Sequence, residues 1–370
     1  MTKRASAEQT AIGPWLLAPL IIIAGIGQGL LNNPHYVTQV MGNNAYWGFP
    51  IALILVTPAI AAIYLLAKRF PGQSIIEQGK SILGPILGTI TGLLYLGFLF
   101  IFPAMVTRDI VNLASMYFLF QTPVYELTLL YLLAYAWLAS TGIETLTRTA
   151  SIVALPALLI FLTLLILGIP NITPNNLKPV FTPNIIDYLK AGKSALNSFY
   201  MLGLAAFILP FLKPLNAFPR FAGGILLLLL GIAGFTAVGS LGVFGPEYLL
   251  RFAYPSLAYF RVIKIPYVLL EQTGMVIGIA WLVIILIGSG FTHYSLSLGL
   301  SQVAPFFDYK IWVWILVPFK FIAIMWPSGI LQTKIAVDFI ARIGWIPLFG
   351  YPVVLYIIAF VFRKKGRSII

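Results

Sequence analysis

The chain has 370 residues, of which 60% are apolar and only 9% charged, and its net charge is +13. Soluble domains carry about 25% charged residues, so a water-soluble protein is excluded and an all-α polytopic membrane protein is expected. There is no cysteine and there are two histidines, His35 and His293, which excludes disulfides, thiolate catalysis and a metal centre built from these residues. The basic residues are scattered between apolar runs, with one cluster at Arg363-Lys364-Lys365. That is the pattern of membrane topology and anionic headgroups, and no nucleic-acid partner is expected.

Ten apolar spans follow in chain order: Ala11–Met41, Trp47–Ala67, Leu83–Phe118, Val124–Ala139, Thr149–Ile169, Ala195–Leu212, Phe221–Phe244, Tyr267–Tyr294, Ile311–Trp326 and Trp345–Phe362. Lys3 and Arg4 precede the first, as in a signal peptide, but the run is too long and lacks a small-residue cleavage site, so a retained first helix is expected. Within that span lies Ala24-Gly25-Ile26-Gly27-Gln28-Gly29. Each glycine costs a helix interior about 0.5–1 kcal/mol relative to alanine. Non-helical backbone at membrane depth survives only inside protein or beside a polar cavity. The cluster therefore predicts an interrupted first helix with a small-ligand site beside it. Close packing through Gly25 and Gly29, a GxxxG pair, is the alternative. His35, after Pro34, reads as an interfacial hydrogen-bonded histidine.

The third span is long enough to tilt or to extend beyond the bilayer. It carries Arg108-Asp109, two charges where charge is expensive. Adjacent helical residues point about 100° apart, so the two need not pair. They belong either to a buried permeation or gating path or to the mouth of the span. Tyr95 and Phe98, at helical spacing, read as generic core or as the wall of a binding site. Ser74-Ile75-Ile76-Glu77 and Thr141-Gly142-Ile143-Glu144 match the capping box. Thr122-Pro123 and Thr182-Pro183 place a hydroxyl before a helix-starting proline. The proline- and asparagine-rich stretch near 170–193 reads as an ordered loop with a short helix from Asn184. Pro246–Lys264, rich in Tyr and Phe, reads as an aromatic interfacial anchor in preference to a gating helix.

Lysine and arginine are more frequent on segments that are inside if the N-terminus is cytoplasmic, which places both termini there. Five spans per half force the halves into opposite orientation, so an inverted repeat predicts a second interruption in span six. Its most polar patch is Asn197-Ser198-Phe199-Tyr200-Met201-Leu202-Gly203. Residues 1–169 and 170–370 would be the two halves of one transmembrane domain. Ser289 and Thr292 in span eight share a face. They either hydrogen-bond a ligand or a sodium ion or bond back to their own helix. Lys320 in span nine is expected to snorkel toward the Trp326 level.

The Gly25-Ile26-Gly27 stretch, Phe70-Pro71-Gly72-Gln73-Ser74-Ile75-Ile76-Glu77, Gln121-Thr122-Pro123 and Thr141-Gly142-Ile143-Glu144-Thr145-Leu146-Thr147-Arg148 occur in this order. In order and spacing the chain resembles the spore germination permease family, the B subunits of germinant receptors, within the amino acid–polyamine–organocation superfamily. The resemblance implies a leucine-transporter-like fold of about ten helices in a 5+5 inverted repeat, with helices 1 and 6 interrupted. It implies a sensor in the spore inner membrane or the cell membrane that binds a small germinant, often an amino acid, beside A and C subunits, without a cofactor. The expected ligand site comprises Gly25, Gly27, Gln28, Tyr95, Phe98, Ser198, Tyr200, Leu202, Ser289 and Thr292, with Arg108 and Asp109 as gating or permeation residues. The alternative is a gradient-driven amino acid permease. No Walker A, HExxH or GxSxG pattern occurs, span five has no internal lysine, and an enzyme is not expected.

Overall fold

The computed structural model describes residues 12–179, 181, 184–263 and 273–366, and all side chains among these except those of 28, 29 and 273. Lys3, Arg4 and the Thr182-Pro183 pair lie outside the described residues, as does the side chain of Gln28. Among the described residues sixteen α-helices follow one another: α1 (Pro14–Leu30), α2 (Asn33–Met41), α3 (Gly48–Arg69), α4 (Ile75–Leu83), α5 (Pro85–Tyr117), α6 (Val124–Ser140), α7 (Ile143–Leu167), α8 (Ile185–Ala195), α9 (Tyr200–Gly203), α10 (Ala205–Ile208), α11 (Phe218–Leu249), α12 (Pro255–Val262), α13 (Thr273–Val303), α14 (Tyr309–Met325), α15 (Ile330–Ile343) and α16 (Tyr351–Val361). No strand is present among the described residues beyond one isolated bridge, Ile12 to Leu212.

Among the described residues, seven helical stretches are long and apolar enough to cross a membrane. Spans one, four and nine fall on α1, α6 and α14, each of 17 residues. At 1.5 Å per residue that is about 25 Å, the short end of what spans a bilayer. Long apolar side chains face outward along these rods, among them Ile54, Leu94, Ile152, Ile322 and Phe339, as lipid-facing helices require.

The first span is interrupted, but not at the glycines. Helix α1 runs unbroken through Gly25, Gly27 and Gly29 to Leu30, and the helical run stops at Leu31–Asn32, where Asn32 at φ −114° and ψ −4° bends the chain before α2 begins. The glycines serve close packing against α11 and α13. A Cβ on Gly25 would lie 3.0 Å from a Leu229 methyl, and one on Gly27 would lie 3.0 Å from Ile285 Cγ1 and 3.2 Å from the Ile285 backbone nitrogen. The break falls where Pro34 follows two asparagines. Proline has no N–H to lose there, and its ring disfavours helical geometry just before it.

Span six is interrupted where the polar patch lies. It opens with α8, capped by the Asn184 side chain accepting from the Ile186 N–H at 3.1 Å. The helix expected from Asn184 is thus the first half of this span. It tightens into a 3₁₀ turn over Leu196–Phe199 and continues through the short α9 and α10.

At 33 residues, or about 50 Å, α5 extends well past a bilayer's hydrocarbon. The Ser74/Glu77 capping box forms in both directions. Its counterpart at Thr141/Glu144 does not. Gly142, at φ 93°, occupies the cap position of α7, and the Thr141 hydroxyl donates backward to the Leu138 carbonyl. Likewise Pro123 precedes α6 as its cap rather than starting it, and Thr122 provides no cap bond. Gly245, at φ 72°, kinks the end of α11 and turns the chain toward α12.

Candidate ligand-binding site

Opening a helix frees backbone groups that need partners. At the break, the Leu30 carbonyl accepts from the Ser256 hydroxyl of α12 at 2.8 Å. The Asn32 carbonyl accepts from the His35 N–H at 3.0 Å. The Asn32 side chain donates through Nδ2 to Asp109 Oδ2 at 2.7 Å and accepts through Oδ1 from Lys334 Nζ at 2.8 Å. Asn33 Nδ2 donates to the Ser198 hydroxyl in the 3₁₀ turn of span six. The two interrupted helices are thus joined side chain to side chain at their breaks.

Beside this junction lies a cavity of about 20 Å³, room for a water or two. Gly27, Leu31, Asn32, Asn33 and Tyr36 line it from the first span and Asn197 from the sixth. Phe102, Val106 and Asp109 of α5, Ile285 of α13, and Val337 and Ala341 of α15 complete the wall. Three of its polar atoms are buried without a hydrogen-bond partner: Asn33 Oδ1, Asn197 Oδ1 and the Tyr36 hydroxyl. An unsatisfied buried polar group costs about 1–3 kcal/mol. All three belong to residues that line the one cavity, which suits a polar occupant.

A charged network covers one end of the cavity. Lys334 Nζ of α15 lies 3.0 Å from Asp109 Oδ1 and 3.8 Å from the centroid of the Tyr254 ring. Tyr254 donates its hydroxyl to Asp109 Oδ1 at 3.1 Å and contacts the Asp109 carbonyl at 3.0 Å. Asp109 is almost fully buried, and its carboxylate accepts from Asn32, Tyr254 and Lys334. Helix α12, with Pro255, Ser256, Leu257, Tyr259 and Phe260 buried, sits over the break as a cover. Within the segment expected to be an interfacial anchor, Tyr254, Tyr259 and Phe260 are buried inside the protein, whereas Tyr248 is 55% exposed.

The structure brings some of the expected site residues together and separates others. Gly27 and Asp109 line the cavity, and Ser198 is bonded to lining residue Asn33. Tyr200 donates to the carbonyl of lining residue Ala341. Phe98 stacks at 5.3 Å on lining residue Phe102. Tyr95 lies deeper, between Phe207 and Tyr351, each 5.8 Å away. Gly25 and Leu202 pack in the core outside the lining. Thr292 bonds back to the Ser289 carbonyl at 2.9 Å, and neither residue reaches the cavity. Arg108 and Asp109 are both buried and do not pair. Arg108 donates to the Pro327 carbonyl, beyond the end of α14, at 2.9 Å and contacts Sδ of Met325, the helix's last residue. Lys320 does not snorkel, since it is fully buried with its ammonium 5.4 Å from the Tyr135 ring centroid. His35 is hydrogen-bonded within its own helix, to Gln39 Nε2 at 2.9 Å.

Asn32, Asn33, Tyr36, Asn197 and Lys334 were not among the expected site residues. Asn32-Asn33-Pro34 is the local signal that could have found the break, since asparagine before proline marks a chain leaving a helix.

Two interrupted helices meeting at a midpoint cavity, packed among long apolar rods, are the fold of the membrane transporters that this chain superposes on. It covers 95% of itself and 89% of the structure of MhsT in complex with L-phenylalanine, at TM-score 0.64 and 15% identity. It covers 96% of itself and 80% of Mhp1, a nucleobase-cation-symport-1 family transporter, at TM-score 0.60 and 17% identity. A manganese transporter of Eremococcus coleocola follows at TM-score 0.61 and 13% identity, with 94% of this chain and 78% of that one covered. Residues 12–333 match the family described as spore germination protein, and the chain belongs to that family. Spore germination protein YndE of Bacillus subtilis (strain 168) is 23% identical over 353 residues, covering 94% of this chain and 96% of its own. Spore germination protein GerQB of Bacillus cereus is 20% identical, with 94% and 95% covered. The chain is therefore an integral membrane protein of a germination family and not an enzyme.

Proposed function

We propose that this chain is the germinant-sensing membrane subunit of a spore germinant receptor. It would bind a small zwitterionic amino acid between the breaks of helices 1 and 6. The observation that carries this reading is the cavity with three unpartnered oxygens, from Asn33, Tyr36 and Asn197. Two amide oxygens suit an ammonium group. The C-terminal end of α1 carries partial negative charge and the N-terminal end of α2 partial positive charge, so the break presents both signs. Among the described residues that line the cavity, Asp109 is the one carboxylate and it is already paired, which favours a ligand without a cationic side chain.

In this reading the cavity is closed and opens on ligand entry, with α12 and the Asp109–Lys334–Tyr254 contacts as the cover. Residues 1–169 and 170–370 form the inverted halves, with both termini cytoplasmic and the A and C subunits as partners in the spore inner membrane. The superposition on MhsT, a protein solved with L-phenylalanine, supports the amino-acid class and keeps a gradient-driven permease as the second reading.

The test uses the purified full chain in nanodiscs and each of the twenty amino acids as a probe, with binding read by thermal shift and calorimetry. At least one small neutral amino acid should bind. Asn197→Leu should abolish its binding while melting cooperatively. Wild-type affinity in that folded variant, or binding of no amino acid by the wild type, overturns the reading.

A further inference from the structure

A second group of buried polar atoms lies apart from the cavity, where α5, α6, α13 and α14 pack together. Its centre is Lys320 of α14, whose Nζ is fully buried and has no hydrogen-bond partner. It lies over the face of Tyr135 of α6 at 5.4 Å from the ring centroid. From α13, His293 packs edge-on against the same ring at 5.5 Å. From α5, Thr107 lies beside Tyr135, and neither hydroxyl makes a well-formed hydrogen bond. Among the described residues Lys320 Nζ has no hydrogen-bond partner, and Tyr131 of α6 packs on the far side of the cluster, 6.1 Å from the Tyr135 ring. Arg108 of α5 is turned to Met325 and Pro327, and no described carboxylate pairs with the lysine.

The tautomer of His293 follows from geometry. Its Nε2 lies 3.0 Å from the Val313 carbonyl, which can only accept, so Nε2 carries the hydrogen. Nδ1 then presents a lone pair, and it too has no partner. The pocket thus holds two nitrogen bases, a ring face and unpartnered hydroxyls. A permanent unpaired ammonium would cost several kcal/mol at this depth. Two positive charges without a carboxylate would cost more still.

We propose that Lys320 and His293 form a proton-binding site in the core of the helix bundle, occupied by no more than one proton, which adds to the lone pair of Lys320 Nζ or of His293 Nδ1. The Tyr135 ring, which both bases flank, is the group that receives the resulting charge. The site needs no ligand other than the proton, and it stands whether or not the cavity binds an amino acid. It is coupled to that cavity by position, since Thr107 and the cavity-lining Asp109 are two residues apart on α5.

The test is lysine side-chain NMR on the full chain in nanodiscs, with 13C at Cε and 15N at Nζ, titrated from pH 5 to 9 with no amino acid added. One lysine resonance should change between its neutral and charged positions inside this window, while the exposed lysines, which titrate near pH 10.4 in ordinary surroundings, stay charged. Lys320→Met should remove that resonance, and Lys320→Gln provides the same assignment if the methionine variant does not fold. His293→Gln should move its midpoint, because the competing base is gone. A Lys320 resonance that stays charged across the window overturns the proposal, as does a midpoint indifferent to His293→Gln.

Discussion

Tyr36 and Lys334 show how differently two buried polar residues behave at this site. The Tyr36 hydroxyl has no partner, so the fold gains nothing from it. Tyr36→Phe should therefore leave the melting temperature of the unliganded protein unchanged or raised. Amino-acid binding should weaken by about tenfold, which corresponds to ~1.4 kcal/mol for one hydrogen bond. Parallel thermal melts and calorimetry check both halves, and a lowered melt with unchanged affinity would show a structural hydroxyl instead. Lys334 is the opposite case, with its ammonium shared between Asp109 and Asn32 and covered by Tyr254. Lys334→Met leaves the buried Asp109 carboxylate with neutral donors only and should cost ~3–5 kcal/mol. Asp109→Asn in the same chain should recover most of that loss, because the uncompensated charge goes with it. Melting of the two single variants and the double variant measures the coupling.

The first helix holds its glycines in helical geometry for the sake of its neighbours, and this makes the two positions unequal. A Cβ at Gly25 meets only the Leu229 side chain, which can rotate, whereas a Cβ at Gly27 meets backbone atoms of Ile284 and Ile285 at 3.2–3.3 Å, which cannot. Gly27→Ala should thus lower the melting temperature clearly more than Gly25→Ala, and equal effects would remove the argument. The same pair explains how far the sequence could be read. A glycine cluster signals either a break or a close approach, and single-chain patterning cannot separate them, because the deciding atoms belong to helices more than 200 residues away. Interruption of both helices was legible, from small and polar residues inside apolar runs. Span six broke at its polar patch, but span one broke five residues beyond Gly27, at the asparagines before Pro34. The partners of Asp109 were not legible. Asn32 lies 77 residues from it and Lys334 lies 225 from it, and no periodicity connects them. Lys320 escaped in the same way. Near the end of an apolar span a lysine is expected to reach water, and only the packing of Tyr135 and His293 around it shows otherwise.

At the scale of the whole molecule the two ends of the cavity are built unlike each other. One end is a latch of a few polar contacts, from Tyr254, Asp109, Lys334 and Ser256, carried in part by the short helix α12. Toward the other end of α5 the rings pack in succession. Phe102 lies 5.8 Å from Tyr200, Tyr200 lies 5.7 Å from Phe349, and Tyr95 meets Phe207 and Tyr351. Along α5, Tyr95 sits about 21 Å from Asp109 at 1.5 Å per residue. Each aromatic pair adds about 0.5–1.5 kcal/mol beyond its buried area, so opening this plug must undo several ring contacts together. A transporter must open both ends in turn, while a sensor needs only one. The asymmetry favours the sensor. The full chain reconstituted in proteoliposomes, under an imposed proton or sodium gradient, should bind its labelled amino acid and yet show no accumulation above equilibrium. Uphill, gradient-dependent uptake by the wild type would mean that the plug opens as readily as the latch, and the permease reading would replace the sensor.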